Sequence, residues 1–315
     1  MGYLNEHKQD ISICTTGAIA LVAIAAIVSH QRLNSTFKLA EITGELRYGC
    51  NVPKTIAKDA ARLNNASIKK QPFAKNFTRH DRRIFRTNIQ DSCDNIRLFQ
   101  STMEGKKPAC ILAGIDGDLH FLDKGDFDSA IEFAHTQFKT WGKRSKIMNT
   151  YMFNKNEVLK IIEKNKEIYT KRLGMAKDCK SEEIYERLKH LFSVEKHECG
   201  AFSDIEGLTL GFPKHNTMIF QLENTGDLFK LRKNPQEYKK QILDVLHSER
   251  SPYKDLSHHE VESLERTINS ITDIGGFHNI MYDFIKFADE PAEFERIKKT
   301  TQQYLGTLSK INYTC

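Results

Sequence analysis

The chain has 315 residues, 39% hydrophobic and 28% charged, with 47 basic positions against 41 acidic and a net charge of +6. That apolar content excludes a chain disordered throughout and supports a packed globular region. The basic excess is mild, and seven cysteines without a C-x-x-C pair argue against a zinc knuckle or redox dithiol.

Residues 1–10 form a short leader in which Lys8 stands against Glu6 and Asp10. Residues 11–29, ISICTTGAIALVAIAAIVS, carry no charge. At ~1.5 Å per residue a helix over this segment reaches roughly 28 Å, close to the ~30 Å hydrocarbon core of a bilayer. The segment predicts a transmembrane helix. A cleaved signal peptide is the first alternative, although the leader is not net basic and only small residues such as Ala23 and Ala25 mimic a cleavage site. A core helix of a soluble domain is the second, although such helices usually carry a polar stripe. Arg32, Lys38 and Arg47 outnumber Lys8 across the segment, which predicts a single-pass protein with a cytosolic C-terminal domain. Signal cleavage would make the chain secreted instead. In that case six cysteines could pair and sequons at Asn34, Asn65, Asn76 and Asn312 would matter. In a cytosolic domain the cysteines are free thiols.

The fold class predicted is mainly α: a transmembrane helix, then a predominantly helical globular region with a small β-hairpin (α+β). Residues 30–80 read as a helical, basic juxtamembrane region, with helix over 35–64 broken near Gly49 and restarted at Pro53. Residues 81–315 read as one mainly helical soluble domain. Its first helix is predicted over 81–103, seamed by Phe85, Ile89, Cys93, Ile96, Phe99 and Met103. Cys110 to Leu122 predicts a hairpin turning at Asp116-Gly117, because Asp-Gly accommodates the positive φ of a type I′ turn. Helices follow over 127–142, with Ile131, Ala134, Phe138 and Trp141 on one face, and over 155–176, capped by Asn154. The next runs over 182–195, capped by Ser181. Across 206–224, GLTLGFP predicts a helix ending at Gly211 and another restarting at Pro213, in preference to strand-turn-strand. Pro235 opens a helix to 248, and Ser257 with Glu260 forms a capping box for one reaching 273, stopped by Gly275-Gly276. Helices over 277–287 and 291–309 complete the chain.

The strongest surface feature is the basic stretch Lys69, Lys70, Lys75, Arg79, Arg82, Arg83 and Arg86, opposed only by Asp81. Cations beside a membrane segment point to anionic lipid head groups. Nucleic acid is disfavoured, because no aromatic interleaving or nucleic-acid module accompanies them. Asp116, Asp118, Asp123, Asp126 and Asp128 crowd together but fail the EF-hand spacing, and Asp126 or Asp128 is better placed to cap the next helix. His190, His197 and Cys199 lack a fourth metal ligand, and His258, His259 and Glu262 are accounted for by the capping box. Gln221-x-Glu223 matches a tripeptide of some ADP-ribosyltransferases, but it is too short to be adopted without their arginine and Ser-Thr-Ser strands. No motif specifies a reaction, cofactor or metal. The function predicted is a membrane-anchored scaffold, adaptor or structural subunit with a protein partner. The alternative is a membrane-tethered or secreted hydrolase or transferase using dispersed His, Asp and Glu residues.

Overall fold

The computed structural model describes residues 71–90, 93–113, 119–138, 146–194, 200–272, 274–278 and 283–286, together with helical Arg296 and Lys299. The predicted transmembrane helix, the 35–64 helix, most of the 291–309 helix, Lys69, Lys70, Asp116, Asp118, His197 and Cys199 lie outside the described residues.

The described part is mainly helical, built on a three-stranded antiparallel sheet of β1 (Ala109–Ala113), β2 (Ile131–Phe138) and β3 (Lys146–Asn154), ordered β1-β3-β2. Side chains alternate across a strand, so the central strand sends Met152 to one face and Tyr151 and Phe153 to the other. On the first face Cys110, Leu112, Ile131 and Met152 pack with Phe77, Phe85, Phe99 and Phe121. These come from the amino-terminal helices α1 (Arg79–Phe85) and α2 (Cys93–Met103) and neighbouring turns. On the second face Ala109, Ala134, Tyr151 and Phe153 pack with the larger helical core. That core comes from α3 (Lys155–Lys164), α4 (Lys166–Leu173), α5 (Ser181–Ser193), α6 (Ser203–Thr209), α7 (Lys214–Gly226), α8 (Pro235–Leu246) and α9 (His258–Asn269). A separate pair, β4 (Gly275–His278) and β5 (Asp283–Lys286), is antiparallel.

Several predicted helices form where their caps say they should. Asn154 ends β3 and starts α3: its Oδ1 accepts from Glu157 N, and its Nδ2 donates to Thr102 O at the end of α2. Asn165 breaks the predicted 155–176 helix into α3 and α4. Gly174, at φ 63°, ends α4 with Met175 N donating to Thr170 O, a Schellman closure. Gly211, at φ 87°, and Pro213 separate α6 from α7 as the sequence predicts. Asn234 caps α8 through Glu237 N, with Pro235 at its first position.

Other expectations are corrected. The hairpin over 110–122 does not form. β1 pairs with β3, and residues 119–124 wind into a 3-10 turn that buries Leu119, Phe121 and Leu122. The predicted 127–142 helix contains strand β2, whose Phe133 lies against the first core and Ala134 against the second. Residues 81–103 are interrupted by a π turn at Arg86–Gln90, although Phe85, Ile89 and Phe99 remain buried. Ser181 does not cap α5; its hydroxyl donates to Glu163, while Lys180 N donates to Glu183. The Ser257/Glu260 box does not form either. Ser257 bonds Glu167 through its N–H and hydroxyl, and Glu260 pairs with Lys214. Gly275 and Gly276 open β4 instead of stopping a helix, and strands occupy 275–278 and 283–286 within or beside the predicted 277–287 helix. Among the described residues no helix is long and apolar enough to cross a membrane.

Candidate functional site

The basic stretch is organised by the first described helix. Thr78 and Asp81 form the capping box of α1: Thr78 N donates to Asp81 Oδ2 at 2.8 Å, and Asp81 N donates to Thr78 Oγ1 at 3.1 Å. Burial of Asp81 opposes its ionisation. The two Thr78 bonds, with Lys124 and His120 nearby, outweigh that and hold the carboxyl below its usual range. The acid is therefore turned into the helix start and away from the arginines.

At 100° per residue, Arg79, Arg82 and Arg83 of α1 and Arg86 at the start of the π turn fall within about a third of the circumference, with Asp81 on the far side and Phe85 about 60° from Arg82. Phe85 is 3% exposed and Asp81 5%, which fixes that side inward and turns the arginines outward. Arg79, Arg83 and Lys75 are exposed; Arg82 and Arg86 are half-buried. Arg79 and Arg83 stand one turn apart, a like-charge pair that costs about 0.2–0.5 kcal/mol in an isolated helix. A cationic face of this kind gains from an anionic neighbour.

The acidic and histidine residues do not converge. His135 places Nε2 at 2.8 Å from Asp123 Oδ2 and Nδ1 at 3.0 Å from Thr150 Oγ1. This acid–imidazole–hydroxyl line has the connectivity of a nucleophilic triad, but Thr150 is 0% exposed on the central strand, so no substrate reaches its hydroxyl. The line instead pins the 119–124 turn to the sheet. Asp128 caps no helix; its Oδ1 accepts from Ala130 N just before β2. Asp126 is exposed, as is His190. His258 and His259 are exposed at the start of α9, with His258 Nδ1 3.3 Å from Glu262. Among the described residues no three His, Cys, Asp or Glu side chains stand together as metal ligands would. Gln221 accepts from Ser203 N, and buried Glu223 pairs with Arg232, so both members of the Q-x-E tripeptide serve the core.

Three polar clusters escape sequence reasoning because they join distant segments. Arg172 donates through Nε and Nη2 to Asp204, at 2.8 and 3.2 Å, and Tyr253 donates to the same carboxylate at 2.8 Å. Lys107 is fully buried ahead of β1 and donates to Leu210 O at 2.6 Å. Burial drives its amine down to about 7; Cys110 works against that shift and Arg296 adds to it. His215 on α7 meets Thr267 Oγ1 at 2.8 Å and Ser263 Oγ at 3.5 Å on α9. Thr267 spends its own proton on Ser263 O, so His215 Nδ1–H donates to it and Nε2 faces Ser263. Burial chiefly, with Lys214 and Arg266 against Glu260, lowers this imidazole to about 4. So weak a base contributes little to activating a hydroxyl near neutral pH. The arrangement ties α7 to α9.

No family model, curated protein or solved structure matches the chain. The arginine face of α1 is the candidate site: Arg79 and Arg83 are exposed, Arg82 is half-buried beside them, and the only acid of the helix, Asp81, is turned inward.

Proposed function

We propose that the chain is a single-pass membrane protein held by residues 11–29, whose helical domain acts as a non-enzymatic scaffold or adaptor on the cytosolic face. The arginine face of α1 carries this reading. It is a set of cations led by exposed Arg79 and Arg83, fixed by a buried Phe85 and an inward Asp81, in the described α-helix nearest in sequence to the apolar segment. Cations near an anionic leaflet gain about 1 kcal/mol each, so a few suffice to lay a tethered domain against lipid. Supporting the adaptor part, Gln221 and Glu223 are engaged in the core by Ser203 N and Arg232, and Thr150, the hydroxyl of the His135 line, is 0% exposed.

The test uses the full chain reconstituted in vesicles containing phosphatidylserine with a photoreactive head group, and maps the adducts by mass. Adducts should concentrate within 75–86 and fall several-fold in an Arg79→Glu/Arg83→Glu double variant. Adducts scattered elsewhere, or unchanged by charge reversal, would contradict the lipid contact. Substrate turnover abolished by one point change would overturn the non-enzymatic part.

A further inference from the structure

A second surface combines charge with an exposed aromatic ring. Residues Phe229–Lys233, FKLRK, form a 3-10 turn between α7 and α8. Phe229 is 41% exposed and is the one large hydrophobic so exposed among the described residues. Lys230 and Lys233 are exposed beside it. Side chains three apart eclipse in a 3-10 helix, so these two lysines share one side of the turn and Phe229 and Arg232 share another.

The turn is held rigidly. Arg232 donates through Nε and Nη2 to Glu223 at 2.5 and 2.6 Å, and Glu223 is 0% exposed on α7. The guanidinium also lies 5.1 Å from the Phe229 ring centroid, and Phe220 meets that ring edge-on at 6.4 Å. Leu228 is buried on one side, and Asn234 starts α8 on the other. Because Glu223 neutralises Arg232, the outward charge of the turn is that of Lys230 and Lys233, with Asp227 the exposed acid nearby.

We infer that this turn is a second contact with anionic lipid, in which Phe229 enters the interfacial layer while Lys230 and Lys233 meet the head groups. An apolar ring with two outward lysines on the adjoining side of the turn matches a surface that is apolar beneath and negative above. An acidic protein would satisfy the lysines but not the ring, and an unpaired nucleic-acid base can stack on it; lipid is the occupant because a domain tethered through residues 11–29 is held beside a bilayer. The turn is preformed, so little ordering opposes its docking. The inference rests on the proposal that the protein works at a membrane, but it concerns different residues.

The experiment reads depth at position 229. Trp141 is the sole tryptophan, so Phe229→Trp in a Trp141→Phe background gives a single reporter. The full chain is mixed with excess vesicles of phosphatidylcholine, with or without phosphatidylserine, carrying brominated acyl chains. Quenching by the bromines should occur with phosphatidylserine and be weak without it. Lys230→Glu/Lys233→Glu should reduce vesicle affinity at this turn by roughly twenty-five-fold or more, at about fivefold per lysine removed. Should Trp141→Phe disturb folding, the quenching difference between Phe229→Trp and the parent, both retaining Trp141, gives the same readout. No bromine quenching in anionic vesicles, or quenching untouched by charge reversal, overturns the inference. A spectral change with polyglutamate or RNA but none with vesicles also overturns it, in favour of a macromolecular polyanion. Failure of the anchor is seen separately, as a chain that does not float with neutral vesicles, while quenching by anionic vesicles still decides the turn.

Discussion

Asp204 shows how a charge is kept inside this fold. Its carboxylate is 0% exposed and is matched by the two Arg172 donors and the Tyr253 hydroxyl. Removing the cation leaves a buried, unneutralised acid, so Arg172→Ala should cost about 3–5 kcal/mol in urea unfolding. Tyr253→Phe keeps the ion pair and should cost only about 1.5–3 kcal/mol. Equal losses, or a loss below 1 kcal/mol for Arg172→Ala, would mean the cluster is not desolvated as described. Two buried bases give stability a pH dependence. His215 has a folded pKa of about 4, lowered from 6.5, so the unfolded chain binds more protons between those values. Stability should therefore rise with pH from about 4 to 6.5, and His215→Asn should flatten that rise. Lys107 repeats the argument higher: with a folded pKa of about 7 against 10.5, its burial penalty is fully present below 7 and fades above it. The unfolding midpoint should rise between about pH 7 and 9 in the parent and stay level in Lys107→Met; a level parent would mean that the folded amine keeps its proton and contradict the lowered pKa. Burial raises the Cys110 thiol to about 11, which takes stability the other way only above about 9.

Elements whose signals are local were legible. Asn154, Asn234 and Pro235 set helix starts, and Gly211 with Pro213 divides α6 from α7, because capping and φ preferences act within one turn of chain. The strands were harder. Ile131, Ala134 and Phe138 fit a helical seam, yet β2 is covered on both faces, so its apolar residues do not alternate in the manner of a half-exposed strand. β1 finds its partner in β3, with β2 between them in sequence, and no local pattern records that pairing. The cap at Ser257 was lost to a carboxylate from α4, another contact between remote segments. The close approach of α6 and α7 offers a test at this scale. A Cβ on Gly207 would stand 2.5 Å from Thr217 Cγ2, so Gly207→Ala forces either the Thr217 side chain or the packing of α6 on α7 to shift. A loss of about 1–3 kcal/mol is expected from thermal unfolding, and an unchanged midpoint would show that the contact yields freely.

For the molecule as a whole, the candidate site was more legible than the core that supports it. Arg79, Arg82, Arg83 and Arg86 were visible as a run because exposure depends on their own helix. The roles of Lys107, Asp204 and His215 depend on which helices meet, and no spacing in the chain announces that. The described domain supplies a sheet covered on both faces, internally matched charges and two outward basic features. In the proposed arrangement residues 11–29 join them to a bilayer. Washing crude membranes with alkaline carbonate and sizing the chain in each fraction tests that join most directly. An integral anchor leaves the full-length chain in the pellet, the expected result. Chain released to the supernatant would contradict it: shortened by about thirty residues it would be a cleaved, secreted protein, and at full length its apolar helix would belong to a soluble fold.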